Sequence, residues 1–396
     1  MRRLLTTICL GAAVGLSSQA PALAAPPRWV QRVDRLIGER PMSVMIGFRG
    51  ETLYRHRHLV RRPPASNEKL LLSMALLQRV GEDETMPTRV LGTRRAGPDG
   101  GLEGDLWIVG HGDPEIDARD MAALARALIA DGLERVRGRV LGSTGPYARD
   151  WFAPGWREYF PRYYIALPTA LTYRFNELAG GRHVANPERL AARALTKKLE
   201  ARGVRVSGKA GSGRPPKRLV GLATVRSDPL GTIMRRMNLI SSNFRAEVLG
   251  KMLAAKQVEP PSTIAKAATV IERFTEARGV HVTAHDASGL SYGNRVSAAG
   301  IVRLLQIAER APWGETLRGT LPAAGEGTLR DRLAGVTLRA KTGTLIDVSA
   351  LSGWVWLERE GDWAEFSILS SGMDDGLAKH IENRVVRVVA ANAGPR

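Results

Sequence analysis

Two stretches with the apolar patterning of β-strands lie at opposite ends of this chain. SVMIGFRGETLYRHR (residues 43–57) reads as a hairpin turning at Arg49-Gly50-Glu51, and VTLRAKTGTLIDVSALSGWVWLER with WAEFSILSSG (336–372) reads as two or three further strands. Between them the patterning is mostly helical, and a last helix is expected from about Asp375 to Ala391. Such an order suits a single sheet assembled from both ends of the chain with helices covering its faces, an α/β (α+β) architecture.

The first 24 residues stand apart from that fold. A basic start (Arg2, Arg3), an apolar run from Leu4 to about Leu16 and the small-residue site Ala22-Leu23-Ala24 form the pattern of a cleaved export signal, residues 1–24. Export to the periplasm or cell envelope is the expectation, with no transmembrane span in the mature chain. The apolar run is shorter than the roughly 20 residues a spanning helix needs. Cys9, inside this segment, is the only cysteine of the 396 residues. Cleavage would leave no thiol, which excludes disulfides, thiolate catalysis and cysteine-bound zinc.

The 58 Lys and Arg against 39 Asp and Glu give a formal charge of +19. Such a surplus favours polyanionic partners. Export argues against nucleic acid and toward anionic polymers or headgroups of the envelope. Scattered arginines are also compatible with general basicity.

Ser66 follows Pro63-Pro64-Ala65 and opens a helix expected to run to about Val80. From about Glu82 to Thr224 the texture changes. GDLWIVGHGDP reads as a strand entering a loop. ARDMAALARALIADGLERVRGRVLGST and PERLAARALTKKLEARGVRVSG both read as helix, glycine stop, strand. The aromatic, proline-rich TGPYARDWFAPGWREYFPRYYIALPTAL between them reads as a long structured loop. The expected organisation is a domain of residues 25–84 and 225–396 interrupted by an inserted α/β domain of residues 85–224.

Three short motifs carry chemistry. In Ser66-Asn67-Glu68-Lys69 the hydroxyl and the ammonium share a helix face, and a lysine of lowered pKa can take a serine's proton. An N-cap serine beside a solvated lysine is the ordinary alternative, but the following LLLSMALL marks a buried helix, where a charge is costly. Ser241-Ser242-Asn243 breaks two helices and offers a hydroxyl and a carboxamide, though Ser and Asn are also common caps. Lys341-Thr342-Gly343-Thr344 places lysine and glycine in a strand, where both need a reason. Gly343 would admit a close backbone approach, Thr342, Thr344 and Lys341 would suit a carboxylate, and an edge strand guarded by its lysine is the alternative.

Taken in order, S-x-x-K, S-x-N and K-T-G are the signature set of class A β-lactamases and penicillin-binding proteins. With PPASNEKLL, MNLISSNFRAE, DASGLSYGNRVS, LPAAGEGTLRDRL and AKTGTLIDVSALSGWV, the chain resembles the D-alanyl-D-alanine carboxypeptidase/endopeptidase family (peptidase S13, the class C low-molecular-mass penicillin-binding proteins). The resemblance covers most of Ser43–Gly81 and Thr224–Gly372, and GDLWIVGHGDP is similar to the family's inserted region. It implies a penicillin-binding/β-lactamase-like transpeptidase fold, with the domain nested within the family's insert absent or reduced here. It further implies cleavage of D-Ala–D-Ala ends or cross-links of peptidoglycan through an acyl-enzyme on Ser66, with β-lactams as inhibitors and no cofactor. Lys69 would accept the serine's proton, its pKa lowered by Lys341. Ser241 would relay a proton to the leaving amine, Asn243 would bind the substrate amide, and Thr342, Gly343 and Thr344 would line the carboxylate site. The N–H groups of Ser66 and Thr344 would form the oxyanion hole.

Two other readings start from the same motifs. A serine β-lactamase would need a deacylating group; no Glu-x-x-x-Asn pattern follows S-x-N, and the second motif is Ser241-x-Asn243 rather than the Tyr-x-Asn of class C β-lactamases. A non-catalytic envelope-binding protein would be expected to have lost at least one motif. The histidines give no metal pattern: His56-x-His58, His281-x-x-x-His285 and His111-x-Asp113-x-Glu115-x-Asp117 lack the partners a site needs, and no metal is expected.

Overall fold

The computed structural model describes residues 26–394. The export-signal expectation falls on residues outside these. Among the described residues no helix is long and apolar enough to cross a membrane.

The strands from the two ends of the chain form one antiparallel sheet in the order Leu338–Leu345, Val348–Leu357, Asp362–Ser371, Met42–Phe48, Glu51–His56. The three middle strands are buried almost throughout, because helices cover both faces. On one face lie Arg28–Ile37, which presents Trp29, Val33 and Ile37 at helical spacing, and Asp375–Asn392. On the other face a larger core joins Glu68–Arg79, Leu230–Ile240, Asn243–Gln257, Ile264–Glu276 and Ala298–Glu309 to Ala350, Trp354 and Leu369 of the sheet. The sequence reading assigns no element to Ile264–Glu276. Its helix is capped by Thr263, whose side chain accepts the Lys266 N–H at 3.0 Å, and it buries Ile264, Ala267, Ala268, Ile271 and Phe274.

Glu68–Arg79 is the central helix of this layer. Every side chain from Glu68 to Leu77 is buried, which accounts for LLLSMALL, and each fully buried leucine contributes about 1.5–3 kcal/mol. The helix starts two residues later than expected. Ser66 sits in the preceding 3₁₀ turn, Ala65–Asn67, entered through a left-handed Ala65 (φ 46°).

A second five-stranded sheet, in the order Gly211–Gly213, Val140–Ser143, Leu106–Gly110, Pro87–Gly92, Val220–Arg226, is mixed parallel and antiparallel. Helices Ala118–Ala130 and Pro187–Glu200 bury their apolar stripes against it. The aromatic segment between Ser143 and Pro187 is loop apart from short turns of helix, and its Trp156, Phe160 and Ile165 pack on Ile264 and Leu290.

Candidate active site

The strand Leu338–Leu345 is an edge of the main sheet, and the Ser66 turn packs against it. Two glycines make that fit possible. A Cβ on Gly343 would lie 2.8 Å from the Pro64 carbonyl oxygen, and one on Gly289 would lie 1.9 Å from that of Ala65. The turn is thus held between the K-T-G strand and the Ser288-Gly289 loop, with no room for a side chain on either side.

Lys69 Nζ is fully buried and lies 3.0 Å from Ser66 Oγ, 2.9 Å from Asn243 Oδ1 and 2.5 Å from the Ser288 carbonyl. The last two groups can only accept, so they orient the amine and leave its remaining position facing the serine. Lys341 Nζ, also fully buried, donates to Ser241 Oγ and the Thr342 carbonyl, both at 2.9 Å. Lys341 therefore points inward and is not the solvent-side guard of an edge strand. Ser241 reaches it from a left-handed position (φ 57°) at the end of Leu230–Ile240. Ser242 points away and caps the next helix, accepting the Arg245 N–H. Asn243 is the first residue of that helix, and its amide N–H also donates to the Tyr164 carbonyl at 3.3 Å.

Burial brings the Lys69 ammonium down to about 8, against the opposing pull of Asp286, Glu247 and Glu68. The expectation put Lys341 first among the causes, whereas burial comes first. The repulsion between the two ammonium groups is mutual, and Lys341 is held well below its ordinary value by burial and then by the charge of Lys69.

Ser66, Ser241, Asn243, Thr342 and Thr344 line one open cleft of about 870 Å³. Thr342 donates to Thr328 Oγ1 at 2.7 Å. The opposite wall is aromatic: Tyr159, Phe160 and Tyr164 from the loop, with Leu290 and Tyr292. Lys251 anchors that loop. Its buried Nζ donates to the Ala148 carbonyl (3.1 Å), Asp150 Oδ1 (2.6 Å) and the Pro168 carbonyl (2.9 Å), tying the two ends of the segment together.

Sequence reasoning missed a set of buried acids behind Lys69. Glu247 accepts the Ala287 and Ser288 N–H groups, and Asp286 accepts from Gly289, Ser291, Asn294 and Trp156. Together they fix the loop whose Ser288 carbonyl holds Lys69. Glu68 is fully buried with neither carboxyl oxygen partnered. Each of the three acids lies in a stretch that carries the resemblance: Glu68 in PPASNEKLL, Glu247 in MNLISSNFRAE and Asp286 in DASGLSYGN.

Among the described residues no group of three His, Cys, Asp or Glu side chains could hold a metal ion. The acidic loop at His111–Asp117 serves structure: Asp113 accepts the Glu115 N–H, Asp117 caps Ala118–Ala130, and Glu115 pairs with Arg236 and Arg245.

A family model described as the D-Ala-D-Ala carboxypeptidase 3 (S13) family matches residues 42–179 and 165–392. The chain belongs to that family. It is accordingly a serine peptidase of the D-Ala-D-Ala carboxypeptidase class. A D-alanyl-D-alanine carboxypeptidase of Actinomadura sp. (strain R39) is 29% identical, over 87% of this chain and 80% of the relative. The carboxypeptidase DacB of Mycolicibacterium smegmatis is 28% identical, over 81% of this chain and 74% of the relative. Among solved structures, penicillin binding protein 4 (dacB) from Haemophilus influenzae superposes with a TM-score of 0.79 at 17% identity, covering 90% of this chain and 99% of that one. That likeness shows the fold, a penicillin-binding-protein architecture with helices on an antiparallel sheet.

Proposed function

We propose that the protein hydrolyses peptide bonds ending in D-alanine in peptidoglycan, both D-Ala–D-Ala stem termini and cross-links, through an acyl-enzyme on Ser66. The observation that carries this reading is the Lys69 amine, held by two carbonyl acceptors with its remaining position on Ser66 Oγ. In the neutral form that position is a lone pair, and an amine near 8 supplies that form at working pH.

Lys69 takes the Ser66 proton as Oγ attacks the substrate carbonyl. The N–H groups of Ser66 and Thr344 receive the oxyanion. Collapse breaks the C–N bond; Ser241, hydrogen-bonded to Lys341, passes a proton to the departing amine, and the proton that Lys69 took from Ser66 replaces it, which returns Lys69 to its neutral form. Water then attacks the ester, Lys69 takes one of its protons, and that proton returns to Ser66 Oγ as the acid leaves. The substrate backbone lies along the exposed edge of Lys341–Thr344, with Thr342 and Thr344 on its carboxylate. Asn243 touches the substrate amide while holding Lys69. A β-lactam enters by the same first step and remains bound to Ser66.

Residues 25–84 and 225–396 form the peptidase unit in this reading. The inserted unit, 85–224, supplies the aromatic wall. Such a substrate places the protein outside the cytoplasm, in keeping with the leader pattern of residues 1–24. The test is release of D-alanine from a soluble pentapeptide ending in D-Ala-D-Ala. Ser66→Ala and Lys69→Ala should each lower it about 1,000-fold or more. Undiminished release by Ser66→Ala would overturn the proposal.

A further inference from the structure

Away from the cleft, the inserted unit carries a second concavity of about 980 Å³, and its charge is one-sided. Arg189, Arg193 and Lys197 recur at every fourth residue of the helix Pro187–Glu200, so they form one exposed stripe with steps of about 6 Å along the axis. Exposed Lys209 joins them from the segment after the helix. Glu200 is the only acid in the lining.

These four cations differ from several that line the other clefts. In the active-site cleft Arg332 pairs with Glu382 and Lys379 with Asp375, and in the cleft at Glu115 both Arg236 and Arg245 are paired. Among the described residues, Arg189, Arg193, Lys197 and Lys209 form no salt bridge and no side-chain hydrogen bond. The opposite face of the same helix has its one acid, Glu188, buried against Arg149. Among the described residues Glu200 alone offsets the four cations of the groove, and like charges this close repel one another until an anion arrives.

We infer that this groove binds a linear envelope polymer carrying a phosphate on each repeat, and that it holds the enzyme against the wall it cuts. A row of cations at regular spacing matches a chain of regularly spaced charges, and guanidinium groups suit phosphate in particular. The envelope setting rests on the export reading above. Binding by the groove does not, and it needs no turnover.

The probe is fluorescein-labelled poly(glycerol phosphate), titrated with the mature chain by anisotropy at roughly 50 and 200 mM NaCl. The triple variant Arg189→Glu, Arg193→Glu, Lys197→Glu should bind at least about tenfold more weakly, with a salt slope flatter by about two to three. The corresponding triple to Gln, which introduces no repulsion, should also lose affinity. Release of D-alanine from the soluble pentapeptide should stay within about twofold in both, which shows they are folded and separates this proposal from the catalytic one. Ser66→Ala should bind as the parent does. Three points would overturn the inference: an equal loss in a control reversing exposed Arg32, Arg35 and Arg359, no binding by the parent chain, or binding only to phosphatidylglycerol vesicles.

Discussion

Gly343 abuts the Pro64 carbonyl so closely that a Cβ would lie 2.8 Å from its oxygen and 3.1 Å from the Cβ atoms of Ala65 and Ala350. The spacing between the K-T-G strand and the Ser66 turn is therefore set by the absence of a side chain. Gly343→Ala should push the strand away from Ser66 and slow acylation by penicillin about 10- to 100-fold, about 1.4–2.7 kcal/mol of barrier. An unaltered acylation rate with unaltered thermal stability would show that the contact relaxes freely.

Lys69 should set the pH dependence. With its value near 8, the fraction able to accept the Ser66 proton rises with pH, so second-order acylation should climb from pH 6 and level off above about 8. A flat profile over that range would contradict the role. The same shift acts on stability. Between about 8 and the ordinary 10.5 the folded state holds fewer protons than the unfolded one, so the lysine costs stability at neutral pH and the cost is relieved as pH rises through that window.

Glu68 should act on stability in the opposite direction. Burial first, then the charges of Asp286, Glu247 and Glu272, raise it well above the ordinary carboxylate value of 4.5. A raised value means stability present below that point and lost as pH increases. Glu68→Gln keeps the shape without the titration. Its melting temperature relative to the parent should rise as pH increases above the ordinary carboxylate range, measured by calorimetry in matched buffers. A difference constant with pH would show that Glu68 does not titrate in the fold.

Lys251 is the clamp on the aromatic wall. Lys251→Met leaves Asp150 and two carbonyls without their donor, a loss of about 3 kcal/mol. Because Tyr159 and Tyr164 lie on the released loop, KM for the pentapeptide should rise several-fold while kcat changes by less than about threefold. Unchanged KM and unchanged denaturant midpoint would remove Lys251 from this account.

The residues of the candidate site were legible because each motif is local: Ser66 and Lys69 share one turn, Ser241 and Asn243 one helix break, and Lys341 to Thr344 one strand. The sheet was legible from its two ends for the same reason, since apolar patterning is a property of neighbours in sequence. What surrounds the site was not. Glu68, Glu247 and Asp286 come from three distant segments, and only the fold buries them together. Lys251 in mid-helix reads like any solvated lysine until Asp150 and Pro168 close over it. The weight of burial in lowering Lys69 was not legible because sequence shows a second lysine but not the depth at which both lie.

The most direct measurement is to incubate the mature chain with a fluorescent penicillin, digest it and locate the label by mass spectrometry. A stable adduct on the peptide containing Ser66, absent from Ser66→Ala, is the expected result. An unlabelled protein, or label that is lost quickly as hydrolysed drug accumulates, would contradict the acyl-enzyme account.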